Sequence, residues 1–96
     1  MPERLSGKEI ESSLAKLKEW VRDGKEVHKE YKLKDFAGAL AFINRVGEKA
    51  EAADHHPYIL LHGWNNVKIT LSTHSAGGLT ENDFKLARQI DAVAKK

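Results

Sequence analysis

The apolar and polar positions of the chain first fall into a helical pattern. Leu5 precedes Ser6 and Glu9, which have capping-box spacing, and Ile10, Leu14 and Leu17 follow at intervals of three and four. This predicts a helix from about Gly7 to Lys18. Trp20 and Val21 then lead to Asp23-Gly24, a hairpin signal. On the return, Val27, Lys29, Tyr31 and Leu33 alternate with Glu26, His28, Glu30 and Lys32, so one strand face meets water and His28 is a surface histidine. Asp35 can cap a second helix running to about Ala53, with Phe36, Ala39, Leu40, Ile43, Val46 and Ala50 as its apolar stripe. Gly38 and Gly47 each weaken that helix by about 1 kcal/mol relative to Ala, which suggests close packing against the sheet or a partner helix.

Beyond the second helix the helical period is lost. Tyr58-Ile59-Leu60-Leu61 reads as a buried strand and His62-Gly63-Trp64-Asn65-Asn66 as its turn. Val67 to Thr73 is the return strand, with Val67, Ile69 and Leu71 on a buried face and Lys68, Thr70 and Ser72 opposite. Ser75-Ala76-Gly77-Gly78 is a loop of permissive backbone. Thr80 and Asp83 repeat the capping-box spacing, Leu79 and Phe84 have that of a hydrophobic staple, and Phe84, Ala87, Ile90, Val93 and Ala94 form a last buried stripe. The order helix, two strands, helix, two strands, helix predicts one α+β domain over residues 1–96. Its four-stranded antiparallel sheet is covered on one face by three helices.

Composition narrows the function classes. The 96 residues carry 16 Lys and Arg against 14 Asp and Glu, a net charge of +2 with no basic block, which argues against nucleic acid as a direct partner. The absence of cysteine excludes disulfides, thiolate catalysis and Cys-based zinc sites. No apolar run approaches a membrane span, and Met1-Pro2-Glu3-Arg4 lacks a signal-peptide hydrophobic region, so a cytoplasmic location is expected. A chain this small buries roughly two-thirds of its unfolded surface, so self-association would help it.

Three of the five histidines, His55, His56 and His74, lie at the ends of expected elements. Histidine titrates near neutrality, so the group suggests proton transfer or a metal. Adjacent residues in extended chain point to opposite faces, which places His55 and His56 poorly for sharing one ion. No serine sits in a nucleophile elbow. Acid–base chemistry fits better: one imidazole accepts a proton while another donates, each step contributing ~10²–10⁴-fold. Glu51, one turn before His55, could orient that ring, and Trp20 and Trp64 offer flat apolar surface for a planar ligand. The plain alternative is core aromatics and capping histidines.

The series Glu51-x3-His55-His56-Pro57-x6-Trp64-x9-His74-x8-Asp83 resembles the signature of the pterin-4a-carbinolamine dehydratases, as does Val67 to His74 followed by Gly78-Leu79-Thr80. Two departures are Trp64, where Tyr is commoner, and Gly63, which lengthens the loop before it. The resemblance implies dehydration of 4a-hydroxytetrahydrobiopterin to quinonoid dihydropterin, without metal or cofactor, in tetrahydrobiopterin recycling. It implies that His55 and His74 act as acid and base and that His56 binds and polarises the substrate. By the same resemblance, Pro57, Thr73, Ser75 and Ala76 grip the pterin edge and Trp20 stands near the pocket. Glu51, Trp64 and Asp83 are then orienting or structural residues. Homodimers or homotetramers are implied as well. The rivals are a non-catalytic dimerisation or assembly cofactor, and a dehydratase of a related pterin in folate or molybdopterin metabolism.

Overall fold

The computed structural model describes residues 3–95. In chain order the elements are α1 (Gly7–Leu14), β1 (Val21–Asp23), β2 (Glu26–Lys32), α2 (Phe36–Ala53), β3 (Tyr58–His62), β4 (Asn66–Leu71), a 3-10 turn (His74–Ala76) and α3 (Glu81–Ala94). The four strands form one antiparallel sheet in the order β1-β2-β4-β3, so β2 and β4 are central and β1 and β3 are edges. This is the expected α+β arrangement. Among the described residues no helix is long and apolar enough to cross a membrane.

Alternation decides which sheet face is covered. Val27 and Tyr31 of β2 and Val67, Ile69 and Leu71 of β4 join one cluster with Ile10, Phe42, Val46, Phe84, Leu86 and Ile90 from the helices. Lys68 and Thr70, one residue out of phase, lie on the opposite face, as a period of two requires. The β1–β2 turn places Gly24 at φ +63°, the left-handed region that glycine enters without steric cost.

Several local expectations are corrected. α1 ends at Leu14 rather than Lys18, its last turns loosening before Trp20. The buried stripe of α2 is Ala39, Phe42, Val46 and Ala50, while Phe36 and Leu40 are exposed. Two apolar stripes are interleaved on this helix, and the sheet covers the one that includes Phe42. A Cβ on Gly47 would meet nothing within 4 Å, so that glycine serves no close packing within the chain. At Gly38 a Cβ would stand 3.0 Å from Oδ1 of Asp35, the capping oxygen that accepts from the Gly38 N–H at 2.7 Å, so the bare backbone gives the cap its room. β3 is not buried. Tyr58, Ile59 and Leu60 are all exposed, because β3 is an edge strand. In α3, Leu86 joins the expected stripe and Ala94 is only half-buried.

Candidate active site

Three segments converge at one end of the sheet: the end of α2, the exit of β4 and the start of α3. Asp54 ends α2 in the left-handed conformation, φ 51°, with its N–H turned back to the carbonyls of Ala50 and Glu51. This reversal sends His55 inward and leaves His56 outside. Thr73 forms a bridge with Gly78, and Gly77 closes the intervening turn at φ +74°. The loop therefore presents His74 at the surface beside the α3 start.

At the centre is Asp83, a fully buried carboxylate. Its Oδ2 accepts from Thr73 Oγ1 at 2.7 Å and from the Thr80 N–H at 2.9 Å, the second being half of the expected capping box. Its Oδ1 lies 2.5 Å from His55 Nε2. Thr73 Oγ1 is also 2.9 Å from Thr80 Oγ1. Every oxygen in this group is partnered, which a buried charge requires. An ionised carboxylate can only accept, so His55 carries its proton on Nε2 and keeps Nδ1 for other chemistry. The line His55–Asp83–Thr73 then continues through one peptide bond to His74.

Asp83 therefore keeps its expected capping role and also takes the one expected of Glu51, holding His55. Glu51 holds His56, with Oε1 2.9 Å from Nε2, and this pair is open to water at 81% and 64% side-chain exposure. The His55–Asp83 pair has 11% and 0%. An exposed pair is screened and worth little, whereas the buried pair fixes the ring. His74 is exposed, and its Nε2 is 2.9 Å from the Tyr58 hydroxyl, with the two rings edge-on at 6.1 Å. Sequence reasoning missed Tyr58. Its only signal was a tyrosine directly after His55-His56-Pro57.

Of the other expected site residues, Pro57, Thr73, Ser75 and Ala76 lie beside the histidines and the two tryptophans do not. Pro57 and Ala76 are half-buried and Ser75 is exposed near the histidines. Thr73 is committed internally: its N–H donates to Gly78, its carbonyl accepts from Ala76 and Gly78, and its hydroxyl serves Asp83. Trp20 is not brought to the histidines. It is a core residue whose Nε1 donates to Asp91 at 3.1 Å, eight positions or about 12 Å along α3 from Asp83. Lys29 and Tyr31 donate to the same carboxylate. Burial, then the hydrogen bond and charge of Asp91, raise the Tyr31 hydroxyl far above its usual range. Trp64 stands 61% exposed at φ 65° in the β3–β4 turn, at the opposite end of those strands from His74. Of the two remaining histidines, His62 pairs with Glu30 at 3.1 Å across the open sheet face and half-buried His28 lies on β2.

An open depression of about 480 Å³ adjoins His74, bordered by Ser72, Gly77, Gly78 and the β1–β2 turn. Among the described residues no group of three or more His, Asp or Glu side chains is arranged to hold a metal ion.

Comparison with known proteins decides the family. The profile for pterin 4 alpha carbinolamine dehydratase matches residues 3–93. The chain belongs to this family. A Roseiflexus sp. (strain RS-1) protein, provisionally named a pterin-4-alpha-carbinolamine dehydratase, is 48% identical over 97% of this chain and 99% of its own length. A Nocardia farcinica protein of the same provisional name is 47% identical over 97% of each chain. Among solved structures, a transcriptional coactivator/pterin dehydratase from Brucella melitensis superposes with a TM-score of 0.89 at 37% identity, over 96% of this chain and 99% of that one. A pterin dehydratase-like protein identified as a RuBisCO assembly factor in the alpha-carboxysome gives 0.66 at 28% identity, over 78% and 88%.

Proposed function

We propose that the protein dehydrates a 4a-hydroxytetrahydropterin to the quinonoid dihydropterin through His55 and His74. The observation that carries this reading is the buried Asp83 carboxylate on His55 Nε2, which leaves Nδ1 as the working nitrogen. A carboxylate in that position stabilises an imidazolium as it forms. His55 is therefore the group that takes the proton from N5. The N5–H electron pair becomes the C4a=N5 double bond, the C4a–O bond breaks with its pair on oxygen, and His74 protonates the departing hydroxyl to give water. Tyr58 holds the His74 ring for that transfer, and His56, outside on its Glu51 partner, is left to bind the pterin. Proton exchange with water resets both imidazoles.

Association as a homo-oligomer in the cytoplasm belongs to the same proposal. The association is supported by the exposed apolar edge strand β3 and by Phe36 and Leu40 on the outer face of α2, surfaces of the kind a partner covers. Turnover of a hydroxypterin in tetrahydrobiopterin recycling would be the physiological role.

The family also offers a second reading, a binding or assembly role, since one structural neighbour is a RuBisCO assembly factor. The complete set of His55, His56, His74 and Asp83 favours catalysis. A stopped-flow assay with chemically made 4a-hydroxytetrahydropterin separates the two. Acceleration over the spontaneous reaction is expected, and a rate equal to the spontaneous one would transfer the assignment to the binding role.

A further inference from the structure

We propose that a cationic subsite beside His74 takes an anionic group, phosphate or carboxylate, on the side chain of the substrate. The proposal rests on the dehydratase reading for the pterin ring and adds the chemistry of its tail.

The subsite is made by three basic residues from two segments, Arg4 from the N-terminal stretch and Arg22 and Lys25 from the β1–β2 hairpin. The Leu5 N–H donates to the Leu79 carbonyl at 2.8 Å, which draws the N-terminal segment against the loop that carries His74. Arg4 then lies across Gly77 and Gly78. A Cβ on Gly78 would fall 2.9 Å from Arg4 Cδ and 3.2 Å from Cγ, and one on Gly77 would lie 4.0 Å from Nη1. The bare backbone at Gly78 is what gives Arg4 its seat. From the other side, Ser72 Oγ donates to the Lys25 carbonyl at 2.9 Å and fixes the β1–β2 turn to the end of β4. Arg22 Nε donates to the Gly24 carbonyl at 2.9 Å, which anchors the guanidinium over that turn.

The product is a depression of about 310 Å³ lined by Arg4, Arg22 and Lys25, with no carboxylate among its lining residues. Among the described residues none of the three cations forms an ion pair. It shares Lys25, Gly77 and Gly78 with the depression bordered by His74, so the two adjoin. The part near His74 also has Asp23 and Glu26 on its wall, so the net positive charge lies at the far end, around Arg4 and Arg22. At that end Arg4 and Arg22 share a depression with no carboxylate on its wall, and an anion bound between them relieves the repulsion of like charges. Guanidinium forks match the planar oxygens of phosphate and carboxylate. A pterin whose ring reaches His74 can extend a charged tail along this path.

The test compares kcat/KM for three 4a-hydroxytetrahydropterins that differ only in the tail: neutral polyol, phosphate-terminated and glutamate-terminated. The expected result is a preference for an anionic tail of about tenfold at low salt, expressed in KM and shrinking as salt screens the exposed cations. Preference for the phosphate tail alone assigns a phosphorylated pterin, and preference for both assigns a general anionic tail. The double variant Arg4→Gln/Arg22→Gln should abolish the preference. Equal kcat/KM for all three substrates, or a preference that survives the double variant, overturns the subsite while the dehydratase reading stands. If no substrate is turned over, the dehydratase reading falls and titration with inorganic phosphate decides the subsite. Saturable NMR shifts at the Gly24, Lys25, Gly77 and Gly78 amides, lost in the double variant, retain it; no shifts overturn it.

Discussion

Asp83→Asn changes one atom at the centre of the site, and its consequence can be worked from the contacts. The carboxylate receives two donors on Oδ2, from Thr73 and Thr80, and one on Oδ1, from His55. An amide has one oxygen and one NH₂. Placing the NH₂ toward Thr73 and Thr80 would oppose it to two donors, so the oxygen stays there and the NH₂ faces His55. That contact survives only if His55 Nε2 becomes an acceptor, which moves the ring proton to Nδ1. The working nitrogen then has no lone pair, and the imidazolium loses its counter-charge. Loss of the base function predicts a fall in kcat of ~10²–10⁴-fold. The lost charge-assisted bond predicts a stability cost of about 2 kcal/mol, or a Tm lower by roughly 10 °C for a domain of this size. Stopped-flow dehydration, a thermal melt and ¹⁵N NMR of the imidazole measure the three effects separately. Turnover within twofold of the parent in a folded variant that keeps the Nε2–H tautomer would refute the reasoning.

Other perturbations read other parts of the structure. His55→Ala and His74→Ala should each lower kcat by ~10²-fold or more, with the double variant little below the worse single because the pair acts as a unit; additive losses would break that coupling. His56→Ala should act mainly on KM, and an equal fall in kcat would move His56 into the proton transfer. Tyr58→Phe removes only the hydroxyl on His74 Nε2 from an exposed ring, so turnover should fall by about 2- to 10-fold with Tm unchanged; full activity would make that bond incidental. Leu71→Ala, at a fully buried position on the covered face of β4, should cost ~2–5 kcal/mol in a denaturant titration. Tyr31 has its folded pKa raised above its ordinary 10.0, so its stabilisation is full below that pH and is lost as pH rises beyond it. Stability should fall above about pH 10 by up to ~1.4 kcal/mol per unit, and Tyr31→Phe should remove that component; an unchanged alkaline slope would exclude Tyr31 as its source.

What the sequence disclosed depended on whether a pattern had one solution or two. β4 alternates strictly from Val67 to Leu71, and a slip of one residue would bury Lys68, so its face was legible. α2 offers two interleaved stripes, Phe36-Leu40-Ile43 and Ala39-Phe42-Val46-Ala50, and only the position of the sheet selects the second. Tyr58 to Leu61 is a continuous apolar run, and such a run does not say whether its strand is central. β3 is an edge because β4 inserts between it and β2, a non-local fact. The histidines were legible as a group, but their partners were not. Spacing along a helix pairs Glu51 with His55, and that rule fails here because the left-handed Asp54 ends the helix before His55 and turns the chain. His55 instead meets a carboxylate 28 residues away, at the first turn of α3. The difference matters for the chemistry. A partner on its own helix would have left His55 as exposed and weakly held as His56, whereas a partner from across the fold is dry, held by two further donors and unable to turn away. Control of which imidazole nitrogen carries the proton follows from that long-range contact.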